Sequence, residues 1–357
     1  MNALATRIAS LIAVEGPLSV AQFMTLCLHD PAGGTYGARD PIGGDFITAP
    51  EISQTFGELL GLWTVQAWHD QGRPDGARLV ELGPGRGTLM ADALRAIAAA
   101  APDFLAEAEV TLVEASPILE SLQRDRLKTS AVDISWCKHF DSTLTDRPLF
   151  LLANEFFDCL PVRQFVKTAH GWHERMVTAE NGALAFALAP APVPPSMIPP
   201  DRAAAPDGGV YETAPAALAL TEEIAATIAA KGGAALIIDY GYDQPGFGET
   251  LQAVAGHKFA EVLAEPGESD LSAHVDFRAL AKAAQNGGAA AYGPVTQCNF
   301  LADLGIGPRA EQLMIANPTQ ARGIADAVDR LVNPEKMGAL FKVLAIAAKN
   351  AAPLPGF

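Results

Sequence analysis

The sequence is short of cations. Its 357 residues carry 41 Asp and Glu against 25 Lys and Arg, a formal net charge of −16. That balance argues against sequence-independent nucleic-acid binding and against docking on an anionic membrane face, since both need a basic surface. A basic partner suits it better. Cysteine is scarce too: Cys27, Cys137, Cys159 and Cys298 lie far apart with no CxxC pair. Such spacing excludes a disulfide or zinc framework and fits reduced, mostly buried thiols of an intracellular protein. No apolar run approaches the ~20 residues needed to cross a bilayer. The opening "MNALATRIASLIAVEGPLSV" has a single arginine, unlike a transit peptide, and no signal-peptide cleavage pattern. It reads as a folded helix of a cytosolic protein. No internal repeat is present.

What is there is apolar and orderly. Hydrophobic residues make up 49% of the chain, ample for a core, and the length fits one large α/β domain with insertions or two modest domains. Helical spacing covers 3–14 and 19–29, broken at Gly16-Pro17. "HDPAGGTYGARDPIGGDFITAPEIS", 29–53, is glycine-rich, and a loop of that length is usually functional or mobile. Helical period returns over 54–71. Strands at 78–82, 109–113, around "ISWCK" and at 149–153 then alternate with helices at 88–100 and 117–127. That alternation predicts a parallel, doubly wound α/β sheet.

After Pro161 the pattern changes. Three strand-like runs with turns at His170-Gly171 and Asn181-Gly182 predict a small β-meander. The proline-rich stretch 189–209 follows as an extended connector. Helix 214–230, strand "AALIIDY", a glycine-rich loop over 241–273, helix 275–286, strand "AAAYGPVTQ", helices within 308–330 and strand "LFKVLAIA" complete the chain. The expected organisation is an N-terminal helical addition with a cover loop over 1–53, then one domain over 54–357. That domain carries an insertion at 162–213.

The chemistry gathers at three strand tips. "LVELGPGRGTLM", 79–90, turns from strand to helix through Gly83, Gly85 and Gly87, letting backbone approach a ligand closely. Dinucleotide sites space these glycines G-x-G-x-x-G over a pyrophosphate. Here the third glycine is one residue early, and Glu81 stands two residues before the first. A carboxylate there disfavours a phosphate pair and suits a cation. S-adenosylmethionine, with an ammonium, a sulfonium and no phosphate, fits; an ordinary strand–turn–helix corner is the plain alternative. "TLVEASP" ends the second strand on Glu114, where this fold places an acid on a ribose hydroxyl pair, and Ser116 and Pro117 start the next helix. Asp141, after the third strand, is a weaker candidate for adenine contact, with a turn aspartate as alternative.

The fourth strand runs into "LFLLANEFFDCLP" and delivers Asn154, Glu155 and Asp158 beside the switch point of the sheet. Packing alone does not explain carboxylates there, although Glu155 capping a helix or pairing with an arginine would. Phe156 and Phe157 read as half wall, half core.

These segments, with "GGDFITAPEISQTFGELLG", "IIDYGY", "DLSAHVDF" and "TQCNFL", resemble the MidA family of S-adenosylmethionine-dependent class I methyltransferases across nearly the whole chain. The resemblance implies a Rossmann-like sheet of seven strands, the last antiparallel, with the meander in the substrate region. It implies arginine methylation on a protein, a respiratory complex I subunit among the partners, and no nucleic acid. A bacterial cytoplasmic enzyme is expected, or a mitochondrial matrix one if a presequence has been removed. Carried over by motif, Glu81, Gly83, Gly85 and Gly87 hold the methionine end and Glu114 the ribose; by their places at the strand tips, Asn154 and Asp141 are further cofactor-binding candidates. Glu155 is the first candidate to grip a guanidinium, with Asp158 or Glu51 as second carboxylate. His274, beside Asp276 in "SAHVDF", is a candidate to take the proton. Two other readings use the same cofactor site: a methyltransferase for a small amine or carboxylate, and a non-catalytic assembly chaperone.

Overall fold

The computed structural model describes residues 2–45, 47–144, 146–244 and 246–357, and the chain divides into two compact units. The larger comprises residues 47–157, 218–242 and 275–357. Besides the two-residue strand Val275–Asp276, which pairs with the end of Gly233–Tyr242, its sheet is built from seven strands: β1 (Arg78–Leu82), β2 (Glu109–Val113), β3 (Ile134–Cys137), β4 (Leu149–Asn154), β5 (Gly233–Tyr242), β6 (Ala290–Thr296) and β7 (Phe341–Ala347). They lie in the order β6-β7-β5-β4-β1-β2-β3. Strands β1 to β5 run parallel, and β7 is antiparallel to both of its neighbours, as expected.

Both faces of this sheet are covered, so β1 and β4 are buried at every position and read as unbroken apolar runs. Glu81, inside β1, is the conspicuous exception. From β1 the chain winds outward to β2 and β3, whereas β4 and β5 lie on its other side. In open α/β sheets such a reversal marks the ligand site, here at the C-terminal tips of β1 and β4. Behind the tips, helix Gln54–Asp70 packs on helix Thr88–Ala100 through Gly57 and Gly61, four residues apart on one face. A Cβ at Gly61 would stand 2.7 Å from the Ala93 carbonyl oxygen, so the two backbones meet without side chains between them. Phe56, Leu60 and Trp63 on the first helix join Phe104 and Phe150 in the core.

The smaller unit takes residues 1–46, 158–217 and 243–274. Helix Val20–His29 starts on a capping box between Ser19 and Gln22 and, with helix Ala3–Glu15, buries Leu4, Ile8, Phe23, Met24 and Leu28. The meander is present as Arg163–Thr168, Gly171–Glu180 and Ala183–Leu188. Two strands from elsewhere enlarge it to five: Leu18–Ser19 and Val210–Thr213.

The stretch 241–273 is not simply a loop. Gln252–Ala255, Lys258–Ala260 and Asp270–Ser272 form a three-stranded antiparallel sheet. Strands of three or four residues are too short for period-two alternation to stand out in the sequence. For the same reason 29–53 hides two helical turns, Thr35–Ala38 and Ala49–Ile52, while Phe46 lies outside the described residues. The expected helices within 308–330 are Ile306–Ala316 and Ala321–Val332, and a further helix, Gln297–Asp303, precedes them. No described helix is long and apolar enough to cross a membrane.

Candidate active site

The larger unit builds its site at the strand tips. After β1 the chain turns through Gly83, Gly85 and Gly87 at φ of 59°, 56° and 75°, a left-handed path that disfavours any side chain. A Cβ on Gly83 would also stand 2.6 Å from the Phe156 ring. Helix Thr88–Ala100 begins at the last of these glycines, presenting its N-terminus beside the turn.

Two buried carboxylates face this turn. Glu81 is 3% exposed, and its Oε2 has no hydrogen-bond partner among the described residues. Burial, then the neighbouring charge of Glu114, pushes its pKa up to about 8, although the Met90 backbone N–H stabilises the anion. Glu114, at the β2 tip, accepts from the Ser116 N–H at 2.7 Å and from Gln123 Nε2 at 2.9 Å; burial raises its pKa as well. Two buried acids this close, with burial raising both pKa values, make a site that gains from a positively charged ligand.

Gln123 is a residue the sequence reading missed. Fully buried, it donates to the Gly85 carbonyl (2.7 Å) as well as to Glu114, and accepts from Trp136 Nε1 (3.0 Å). It thereby fastens the glycine turn, the β2 tip and β3 to one another. The available signal was a glutamine on the buried stripe Leu119–Gln123–Leu127 of helix Pro117–Leu127.

At the β4 tip Asn154 is 8% exposed and its Oδ1 has no partner among the described residues. Glu155 follows at φ 51°, a conformation that costs a non-glycine residue about 1 kcal/mol or more and clusters at functional sites. Its Oε1 accepts from Asn154 Nδ2 at 2.9 Å and from the Ala49 N–H at 2.7 Å, so it does cap the short helix Ala49–Ile52. Glu51, on that helix, accepts from the Thr88 hydroxyl. The fully buried Asp239 of β5 was also missed: its Oδ2 accepts from the Phe156 and Phe157 N–H groups at 3.2 and 2.9 Å and shapes the turn that carries Glu155. Phe157 is buried and Phe156 half-buried, packed edge to face.

Glu51, Glu81, Glu114, Asn154 and Glu155 are thus gathered in one unit with the three glycines. Asp141 follows β3, but it is exposed, and its Oδ1 accepts from the Thr143 N–H and hydroxyl. Those bonds hold its carboxyl below the usual range and close its own turn. Asp276 caps helix Phe277–Asn286. Asp158 and His274 belong to the smaller unit. There Asp158 is buried and raises the pKa of Asp270, while burial lowers that of His274. No group of three or more metal-ligating side chains occurs among the described residues.

The orphaned Glu81 oxygen, its paired acid Glu114 and the left-handed glycine cradle fit a cofactor that carries positive charge and no phosphate. Residues 59–295 match a family described as S-adenosyl-L-methionine-dependent methyltransferase, and the chain belongs to that family, the MidA-like methyltransferases. Its cofactor is S-adenosylmethionine. Similar proteins include the mitochondrial protein arginine methyltransferase NDUFAF7 of Rattus norvegicus, 39% identical over 93% of this chain and 81% of that protein. The Homo sapiens NDUFAF7 is 38% identical over 93% and 80%. A Burkholderia thailandensis crystal structure with S-adenosyl-homocysteine bound superposes with a TM-score of 0.86. It is 29% identical, over 99% of this chain and 94% of that one.

Proposed function

We propose that the chain methylates an arginine of a protein substrate, with Glu155 binding the guanidinium. The observation that carries this reading is Glu155 itself: a carboxylate held in left-handed backbone at the β4 tip, beside the unpartnered Asn154 Oδ1. The relatives' name, protein arginine methyltransferase, supports the same choice. Bound S-adenosylmethionine supplies an electrophilic methyl on its sulfonium. Glu81 and the glycine turn hold its methionine end, and Glu114 its ribose. A guanidinium is a poor nucleophile, because its electrons are delocalised and its pKa exceeds ~12. Glu155, oriented by the Ala49 and Asn154 donors, draws positive charge onto the nitrogens it binds and leaves the remaining one free to attack. Glu51, in the same unit, is the proposed second carboxylate for the guanidinium. The partner, by family resemblance, is a complex I subunit, and the proposed setting is a bacterial cytoplasm.

The test is single-turnover methyl transfer by Glu155→Gln beside a calorimetric S-adenosylhomocysteine titration. Glutamine keeps the Oε1 acceptor and removes the charge, so transfer should fall by roughly two to three orders of magnitude. Affinity should hold within about threefold, because Glu81 and Glu114 are untouched. Near-normal turnover, or equal labelling of lysine and arginine substrates, would overturn the assignment.

A further inference from the structure

The smaller unit carries a groove of about 550 Å³, within the range of pockets that hold ligands. One wall is strand Ala183–Leu188, the other the segment Glu249–Ala264, and Ala5, Leu184, Leu251 and Leu263 line its apolar surface. Strand Ala183–Leu188 pairs with Gly171–Glu180 and with no other strand among the described residues. Its sequence, ALAFAL, holds no charge and no proline, the devices by which edge strands are normally blunted. Across the groove Phe259 is 81% exposed on the edge strand Lys258–Ala260, and Phe186 on the first strand is 40% exposed. A large aromatic that open, facing an unblunted strand edge, marks a surface that a partner covers.

Charge says which partner. The lining holds two carboxylates, Glu249 and Glu261, and no lysine or arginine. Arg175 answers Glu249, and no described residue pairs with Glu261. The surrounding segment 243–274 has six carboxylates and one lysine. We infer that this groove takes an extended, basic and apolar segment of the protein substrate as an added β-strand along Ala183–Leu188. Backbone hydrogen bonds would supply affinity, alternate side chains would fill the apolar wall, and lysine or arginine between them would meet Glu261. That the segment belongs to the substrate rests on the proposed protein methylation. The groove's preference for a basic strand does not.

The experiment uses the full chain and fluorescent ten-residue peptides, read by anisotropy at 150 mM salt, and needs no methyl transfer. A peptide alternating valine and lysine should bind, and one alternating valine and glutamate at least tenfold more weakly. N-methylation at alternate backbone nitrogens should abolish binding. Phe259→Glu and Glu261→Lys, both at exposed positions, should each weaken binding about tenfold while S-adenosylhomocysteine affinity is unchanged. Equal binding of the two charged peptides, tight binding of the N-methylated one, or wild-type affinity in both variants would overturn the proposal. So would a dimer that Phe259→Glu converts to monomer, since the occupant would then be a second copy.

Discussion

Glu81 is a carboxyl buried ahead of its ligand, and it should give the free protein a characteristic pH response. Its folded pKa of about 8 lies above the ordinary value of 4.5. A raised acid contributes stability that is fully present below about pH 4.5 and lost as pH climbs through 8. The free protein should therefore soften across that window, and Glu81→Gln should melt higher than wild type at pH 9. With Glu81 at the cofactor's methionine end, as proposed, binding should run the other way, because the ionised carboxylate attracts a cation. S-adenosylhomocysteine affinity should rise as pH climbs from 6.5 toward 8 in the wild type and stay flat, and weak, in Glu81→Gln. Calorimetry with thermal melts across pH checks both signs. The two acids could be found from sequence because each follows an apolar strand run at a position the winding of the sheet makes meaningful. Gln123 and Asp239 could not. Their value lies in partners far along the chain, Gly85 and Trp136 for one, the Phe156–Phe157 backbone for the other.

Among the elements, the turn from β1 into helix Thr88–Ala100 is the one with least freedom to vary. Gly85→Val places a β-branched side chain at φ 56°, at a strain of about 1–3 kcal/mol, and sets its methyls where the ligand must approach the backbone. The protein should fold, with its far-UV circular dichroism preserved and its melting temperature a few degrees lower, and show no heat with S-adenosylhomocysteine. Retained binding would mean the turn does not contact the cofactor. Most strands and helices of this unit were legible because buried parallel strands are apolar throughout and their helices keep a clear 3.6-residue period. The sheet over Gln252–Ser272 was not, since its identity comes from pairing rather than from pattern. Glu155 joins the two cases: its position was readable, but its left-handed backbone and its hold on Ala49 are set by tertiary contacts.

The molecule as a whole carries its −16 charge into every association it makes. Self-repulsion at that net charge should raise the melting temperature by a few degrees between 10 and 300 mM salt, as screening shortens from ~30 Å to under ~8 Å. The same screening should slow capture of a basic protein substrate, so methylation should decline with salt while cofactor affinity moves little. Stopped-flow association and melts over one salt series separate the two effects, and a substrate on-rate independent of salt would remove the case for steering. Composition foretold this charge. It could not foretell that the smaller unit is assembled from three stretches separated in sequence, ending at His274. That arrangement has a consequence for synthesis. Helices Ala3–Glu15 and Val20–His29 are made about 240 residues before the last piece of their fold, Asp270–Ser272 included. At ~5–20 residues per second, their apolar faces wait on the order of twelve to fifty seconds for partners. For that interval the nascent chain depends on whatever holds an unfinished hydrophobic surface in the cell.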